Sequence, residues 1–163
     1  MRSYRWRITQ LGSFPGMLIL LLPFCIGVSL EAIRLILVVS AIFIIFPLLL
    51  AIITKLFYHK DRPIPQKRGT FINTISAGSF PSMHTIVATV IAIIVSVSVF
   101  SEYGYGSRWI IVTYVLLAIL VGTSRVKLKK HYRIDVIFGA VYAIVGSAIL
   151  YFLIQKFILP WIW

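Results

Sequence analysis

The pattern of hydrophobic and polar positions divides this chain into long apolar runs separated by short polar or basic stretches. A helix needs about 20 apolar residues to cross the hydrocarbon core of a bilayer, and five runs come close to or exceed that length. We therefore predict an all-α, polytopic transmembrane helical bundle of about five spans, with room for a sixth, in one domain over residues 1–163. The runs cover roughly residues 11 to 30, 32 to 57, 80 to 100, 108 to 124 and 135 to 158.

Composition excludes the main alternatives to a membrane protein. Hydrophobic residues make up 60% of the chain, and its mean hydropathy of +1.00 exceeds what a water-soluble domain of this size can bury. The net charge of +12 arises from 16 Lys and Arg against 4 Asp and Glu. The basic residues lie in short loops between apolar runs, and no nucleic-acid-binding motif accompanies them. We expect the lipid bilayer and its anionic headgroups as partners, and no nucleic acid.

The order of the spans places the polar loops on one membrane face. If all five runs cross the membrane, the stretches 58–79 and 125–134 lie on the same side as the N-terminus. The loops on the other side, 29–31 and 101–107, are short and nearly uncharged. Residues of the two polar stretches are therefore expected to meet, and any polar chemistry belongs to that face.

The first candidate element is the pair His131 and Asp135, four residues apart where the last span begins. If the helix begins by His131, both side chains project from one helical face, and Asp135 can accept the imidazole N–H. That contact would fix the tautomer and leave the other ring nitrogen as a nucleophile. A structural ion pair is the commoner explanation for an isolated pair of this kind. A carboxylate against an apolar helix is nevertheless a candidate functional group.

The second and third elements supply an anion site and cations. Ser82 and His84 follow Pro81 at the start of the third span, where first-turn N–H groups and the helix dipole favour an anion. His84 would be placed there to protonate a leaving oxygen. Lys55 and Arg62 end the second span, and a guanidinium can bind two phosphate oxygens. Alone, each element is better explained as a helix cap or a basic membrane flank.

Together the three elements provide what the transfer of a phosphoryl group requires. Cations neutralise the phosphoryl oxygens, one histidine attacks in line, and the other protonates the leaving group. The 4 acidic residues and 3 histidines form no cluster suited to magnesium or zinc, so we expect no metal and no cofactor.

The spacing of these residues resembles the three-part motif of the type 2 phosphatidic acid phosphatase (PAP2) family. The parts are Lys55 to Arg62-Pro63, then Pro81-Ser82-Met83-His84, then Ser124-Arg125 to His131 to Asp135. The second part has Met83 where the family usually has glycine, and this bears on how closely the backbone approaches a phosphate. The similarity extends from about Lys55 to Asp135.

The resemblance implies metal-independent hydrolysis of a phosphate ester or anhydride through a phosphohistidine intermediate. It assigns His131 as the nucleophile, Asp135 as the residue that orients it, and His84 as the general acid. The residues that it implies around the phosphoryl group are Lys55, Arg62, Ser82, Met83, Ser124 and Arg125.

The apolar surroundings favour a lipid phosphate, from a membrane phospholipid or glycolipid, over a soluble phosphomonoester. Additional cations on the same face suggest a headgroup with more than one negative charge, although they also suit a role in setting orientation or binding bulk anionic lipid. Candidate substrates are lipid A 1-phosphate, phosphatidylglycerophosphate and undecaprenyl diphosphate. The candidate headgroup-binding residues are Lys60, Lys67, Arg68, Lys129 and Lys130.

We expect a multi-pass protein of the bacterial cytoplasmic membrane. Two observations point to opposite sides of that membrane for the candidate site. All Lys and Arg except Arg34, Arg108 and Lys156 fall on the site face, which by the positive-inside rule favours the cytoplasm. Bacterial enzymes that resemble this chain often act on the outer face. Two alternative functions also stay open, a lipid-to-lipid phosphotransferase and a non-enzymatic membrane subunit that binds anionic lipid. No pattern indicates an oligomeric state.

Overall fold

Four α-helices form the described part of the chain, which in this computed structural model comprises residues 30–64, 70 and 77–158. A 3₁₀ turn at Gly104–Ser107 precedes the third helix, and a π-helical turn at Ile154–Ile158 extends the fourth. The described residues include no β-strand. The helices are α1, Leu30–Phe57; α2, Met83–Tyr103; α3, Arg108–Lys127; and α4, Arg133–Leu153.

These helices confirm four of the five predicted spans and the all-α class. Each helix, taken together with its adjoining 3₁₀ or π-helical turn where it has one, provides a stretch of 19 to 25 residues that is long and apolar enough to cross a membrane. A helix satisfies its backbone hydrogen bonds internally, which is what a segment surrounded by lipid requires. The helix ends lie within three residues of the predicted ones, except that α4 ends at Leu153 and only its π-helical extension reaches the predicted residue 158. Of the predicted first span, 11–30, only Leu30 belongs to the described residues.

Helix α2 occupies the centre of the bundle and packs against α1, α3 and α4. Half of its most apolar stretch is buried, against 22–28% for the other three helices. Its buried side chains, Ile86, Val90, Ile91 and Val95, form the core together with residues of α1 and with Ala143 of α4. The outward faces of the other helices remain apolar, as expected of surfaces that contact lipid.

The connection between α3 and α4 is a tight turn that places His131 close to the end of α3, where Arg125 lies. Lys130 N–H donates to the Arg125 carbonyl at 3.1 Å, and Lys129 N–H donates to the Val126 carbonyl at 2.9 Å. This pair of hydrogen bonds is the Schellman arrangement, and Lys129 adopts the left-handed backbone that it needs, with φ of 55°. The turn therefore reverses the chain within a few residues and sets His131 beside the end of α3.

Candidate active site

The candidate residues of all three sequence elements lie together at one end of the bundle. Lys55 and Arg125 lie in the last turns of α1 and α3, and His84 and Asp135 lie in the first turns of α2 and α4. Direct contacts link these helix ends, including a hydrogen bond of 3.0 Å from Ser82 N–H to the Asp135 carbonyl. The expectation that the polar loops share one face is met by the described residues.

The imidazole of His131 is buried and is held by a backbone carbonyl. Its Nδ1 lies 2.6 Å from the carbonyl oxygen of Ser79. A carbonyl only accepts hydrogen bonds, so Nδ1 carries the proton and donates it, and Nε2 keeps its lone pair. The arrangement therefore presents Nε2 as the nucleophilic atom of this side chain.

The predicted hydrogen bond from His131 to Asp135 is wrong. Helix α4 begins at Arg133 rather than at His131, and Nδ1 lies 3.9 Å from the nearer carboxylate oxygen, too far for a hydrogen bond. The carboxylate instead accepts the Tyr132 N–H at 2.8 Å and so caps its own helix. Its other oxygen lies 2.7 Å from the ammonium nitrogen of Lys60. Asp135 is fully buried, so these two contacts compensate its charge.

Burial and neighbouring cations keep His131 neutral. Its pKa falls to about 3, first because burial penalises the charged ring and then because the charges of Arg62 and Arg125 repel it. The hydrogen bond to the Ser79 carbonyl acts in the opposite direction and is outweighed. A neutral imidazole at physiological pH is the form that can attack an electrophile.

This depressed pKa predicts an acid-sensitive contribution of His131 to stability. The folded pKa lies below the unfolded value of about 6.5, so the contribution is complete above pH ~6.5 and is lost as the pH falls below it. Between about pH 7.5 and pH 5, the wild type is expected to lose about 2 kcal/mol more stability than His131→Gln. Thermal unfolding in detergent at both pH values measures this. The exposed His59 provides the control, since His59→Gln should follow the wild type; equal acid losses in wild type and His131→Gln would contradict the prediction.

Several cations lie close enough to the His131 imidazole to act on it electrostatically. Lys55 and Arg125 are buried, and Arg62 and Lys130 are half-buried. The Lys55 ammonium donates to the Gly78 carbonyl at 2.6 Å. The pKa of Lys130 is lowered by burial and then by the charges of Arg125 and Arg62, which reflects how closely these groups are crowded. Such crowding of positive charge favours the binding of an anion.

The guanidinium of Arg125 gives a second indication of an anion site. The side chain is only 5% exposed, and its Nε has no hydrogen-bond partner among the residues that the structure describes. A buried donor of this kind is costly unless a ligand completes its bonding. A phosphate oxygen has the charge and the acceptor geometry that a guanidinium binds best.

The start of α2 contributes a hydroxyl and the second histidine. Ser82 occupies the position before the first helical residue, but its side chain makes no capping hydrogen bond. Its Oγ accepts a hydrogen bond of 3.0 Å from the Thr85 hydroxyl, so the Ser82 hydroxyl proton remains a donor. Met83, in the position where glycine was expected, begins the helix and is half-buried. His84 is half-buried and lies within electrostatic range of Arg125.

The remaining candidate residues have different surroundings. Ser124 is buried, and its hydroxyl donates to the Val121 carbonyl of its own helix at 2.7 Å. Lys60, expected at the headgroup, is paired with Asp135. Lys129 is exposed. Lys67 and Arg68 lie outside the described residues. Within the described ranges, no three His, Cys, Asp or Glu side chains form a group that could hold a metal ion.

Two contributors to the site were not found from the sequence. Ser79 acts through its backbone carbonyl, so its residue type carries no signal of the contact with His131. Gly139 lies one turn after Asp135, and a Cβ atom added there would come within 2.8 Å of the Ser82 carbonyl oxygen. The absence of a side chain thus allows α4 to pack directly against the segment that carries Ser82 and His84. A glycine four residues after Asp135 was the available signal for this contact.

The close approach at Gly139 predicts a large effect from a single methyl group. Gly139→Ala is expected to displace the Ser82 backbone, lowering activity about 10- to 100-fold and stability by about 1–3 kcal/mol. Phosphate release and thermal unfolding in detergent measure the two effects. Gly106→Ala is the matched control, because a Cβ there meets nothing within 4 Å. Equal activity of the two variants would show that this contact does not position the site.

The fold and the site define a class of protein. The chain is a bundle of membrane-spanning helices that gathers two histidines and several cations at one end. Residues 31–159 match the PAP2 superfamily, and the chain belongs to this superfamily. Members of this superfamily are phosphatases, and membership therefore supports the prediction that this chain is a phosphatase. Comparisons with curated proteins and with solved structures gave no match.

Proposed function

We propose that this protein is a metal-independent lipid phosphatase that uses His131 as its nucleophile. The observation that carries the proposal is the neutral, buried imidazole of His131, whose Nε2 is available within a cluster of cations. A phosphoryl group held by these cations would have its charge neutralised beside the attacking nitrogen. Arg62, Arg125 and Lys55 act electrostatically on this imidazole, so they are the proposed ligands of the phosphoryl oxygens.

The proposed reaction has two steps. His131 Nε2 attacks phosphorus, so that a P–N bond forms while the P–O bond to the leaving group breaks. His84, in its protonated form, donates a proton to the leaving oxygen and so becomes a neutral base. It then removes a proton from water, whose oxygen attacks phosphorus and releases His131 and inorganic phosphate. Ser82 donates a hydrogen bond from its hydroxyl group to a phosphoryl oxygen, and no step requires a metal.

An apolar groove beside the site supports a lipid as the substrate. A cavity of about 540 Å³ lies between α2, α3 and α4 and begins at Thr85, which is hydrogen-bonded to Ser82. The groove continues along α2 from Thr85 to Val97, a distance of about 18 Å. One leaflet of a bilayer has a hydrocarbon depth of about 15 Å. The groove therefore has the length and apolar lining suited to one hydrocarbon chain of a lipid with its phosphate at the site.

The headgroup is proposed to carry more than one negative charge. Lys130 is half-buried beside Arg62 and Arg125, so the cations extend beyond those needed for a single phosphoryl group. Lipid A 1-phosphate, phosphatidylglycerophosphate and undecaprenyl diphosphate have such headgroups. The apolar helices support a location in a membrane, for which we propose the bacterial cytoplasmic membrane.

The test is phosphate release by the purified protein in detergent with EDTA and no added metal. The panel comprises the three polyanionic lipids, phosphatidic acid, and glycerol 3-phosphate as a soluble phosphomonoester. We expect release from at least one lipid, loss of that release in His131→Ala, and little release from glycerol 3-phosphate. Release only after metal is added, or equal release by the variant, would overturn the mechanism. Labelled phosphate that appears on a second lipid instead of in solution would indicate a phosphotransferase.

A further inference from the structure

We propose that Lys60, which lies between the defining positions of the three-part motif, is the positioning residue of the nucleophile. Lys60 contacts both groups that border His131. Its ammonium binds the Asp135 carboxylate at 2.7 Å, and its backbone carbonyl accepts the Ser79 N–H at 2.8 Å. The inference rests on the proposed role of His131 and assigns Lys60 an action through other residues, with no contact to substrate.

The side-chain contact fixes the beginning of α4. Asp135 is fully buried, and its carboxylate forms an ion pair with the Lys60 ammonium at 2.7 Å. The same carboxylate holds the N–H of Tyr132, the residue that directly follows His131. The ion pair with Lys60 holds the carboxylate in place, where it accepts that N–H. The position of His131 relative to α4 therefore depends on Lys60.

The backbone contact fixes the orientation of the imidazole. Lys60 carbonyl holds the Ser79 N–H, and the Ser79 carbonyl in turn accepts the proton of His131 Nδ1. These two hydrogen bonds connect Lys60 to the ring nitrogen that sets the tautomer. Lys60 therefore makes both contacts, one through its side chain and one through its carbonyl, and these contacts hold the loop after α1 against the loops that precede α2 and α4.

The surroundings of the Lys60 ammonium hold it at Asp135. It lies 4.7 Å from the ring centre of Tyr132 and 5.9 Å from that of Phe80, within the range of cation–π attraction. Its side chain is 25% exposed. A headgroup would have to compete with a buried carboxylate and two aromatic rings for this ammonium. The position suits a residue committed to the protein rather than a ligand of the substrate.

The test is a double-mutant cycle on the full chain with the lipid that the panel identifies. Lys60→Met removes the ammonium and keeps the backbone carbonyl, and Asp135→Asn removes the carboxylate. For Lys60→Met we expect kcat to fall about 10- to 100-fold, because the nucleophile is misplaced, with KM changed less than about threefold. Lys60→Arg should recover most of the activity. The double variant should be about as active as Asp135→Asn alone, because Lys60 acts through that carboxylate.

Opposite outcomes separate the proposed role from headgroup binding. The inference would be overturned if Lys60→Met raised KM and left kcat unchanged. In that case the rise in KM would grow with the charge of the headgroup, and the effects of Lys60→Met and Asp135→Asn would be additive. Lys127→Met, which removes an exposed cation at the end of α3, is the matched control and should behave like the wild type. If Lys60→Met fails to fold, two other comparisons decide whether Lys60 acts through Asp135. The first compares the double variant with Asp135→Asn, and the second compares Lys60→Arg with the wild type. Phosphate release by wild type that depends on His131 tests the proposed function separately.

Discussion

His131→Ala is expected to lower phosphate release by about 10⁴-fold or more. The variant lacks His131 Nε2, the nitrogen that the Ser79 contact leaves with its lone pair, so the P–N bond cannot form and the second step cannot follow. The measurement is the rate of phosphate release in detergent, together with trapping of acid-labile phosphate on the protein from a labelled lipid. Both signals are expected in the wild type and neither in the variant.

The matched control for this prediction is His59→Ala. His59 is exposed on the loop after α1 and has no part in the proposed reaction. We expect it to retain the rate and the labelled intermediate of the wild type. A labelled intermediate that persists in His131→Ala would show that another residue carries the phosphoryl group, which would refute the assignment of the nucleophile.

Arg125→Met is expected to lower kcat/KM by about 10²- to 10³-fold. The guanidinium is 5% exposed, and its Nε has no hydrogen-bond partner in the described part of the chain, so we expect a phosphoryl oxygen to complete its bonding. Loss of one donor to a developing negative charge typically has an effect of this size. Methionine preserves much of the side-chain volume, so the change removes charge and donors with little effect on packing. Steady-state kinetics with the preferred lipid provides the measurement.

Two further variants show whether charge or hydrogen-bond geometry matters at Arg125. Arg125→Lys keeps the positive charge without the planar fork, and we expect an intermediate loss. Arg108→Met removes an exposed arginine from the opposite end of the same helix and should leave kcat/KM unchanged. Equal losses in Arg125→Met and Arg108→Met would mean that the overall positive field, rather than a specific contact, supports activity.

Much of the fold was predictable because a bilayer imposes a simple rule. A helix that crosses it must be apolar over nearly its whole length, so the number and approximate positions of α1, α2, α3 and α4 follow from the apolar runs. The alternation of spans also predicted which loops share a face. The candidate residues themselves were identifiable, because phosphoryl transfer requires cations and a nucleophile of few chemical types.

The contact that orients His131 was not predictable from the spacing. A separation of four residues from Asp135 implies a shared helical face only if both lie in the helix, and α4 begins two residues after His131. The Schellman turn that ends α3 occupies the preceding residues and delays the helix. The carboxylate is then used to cap α4, and a carbonyl from a distant loop takes its expected place.

The sequence by itself therefore determined the membrane-spanning helices, the face on which polar groups gather, and the residue types available for chemistry. Those features depend on the apolar content of each run and on the order of the runs, which are local properties. Only the tertiary structure decided which group holds His131, why Gly139 lacks a side chain, and that Lys60 binds Asp135. These contacts join segments as many as 75 residues apart. Some of them use backbone atoms, which are the same in every residue type, so the sequence contains no signal of them.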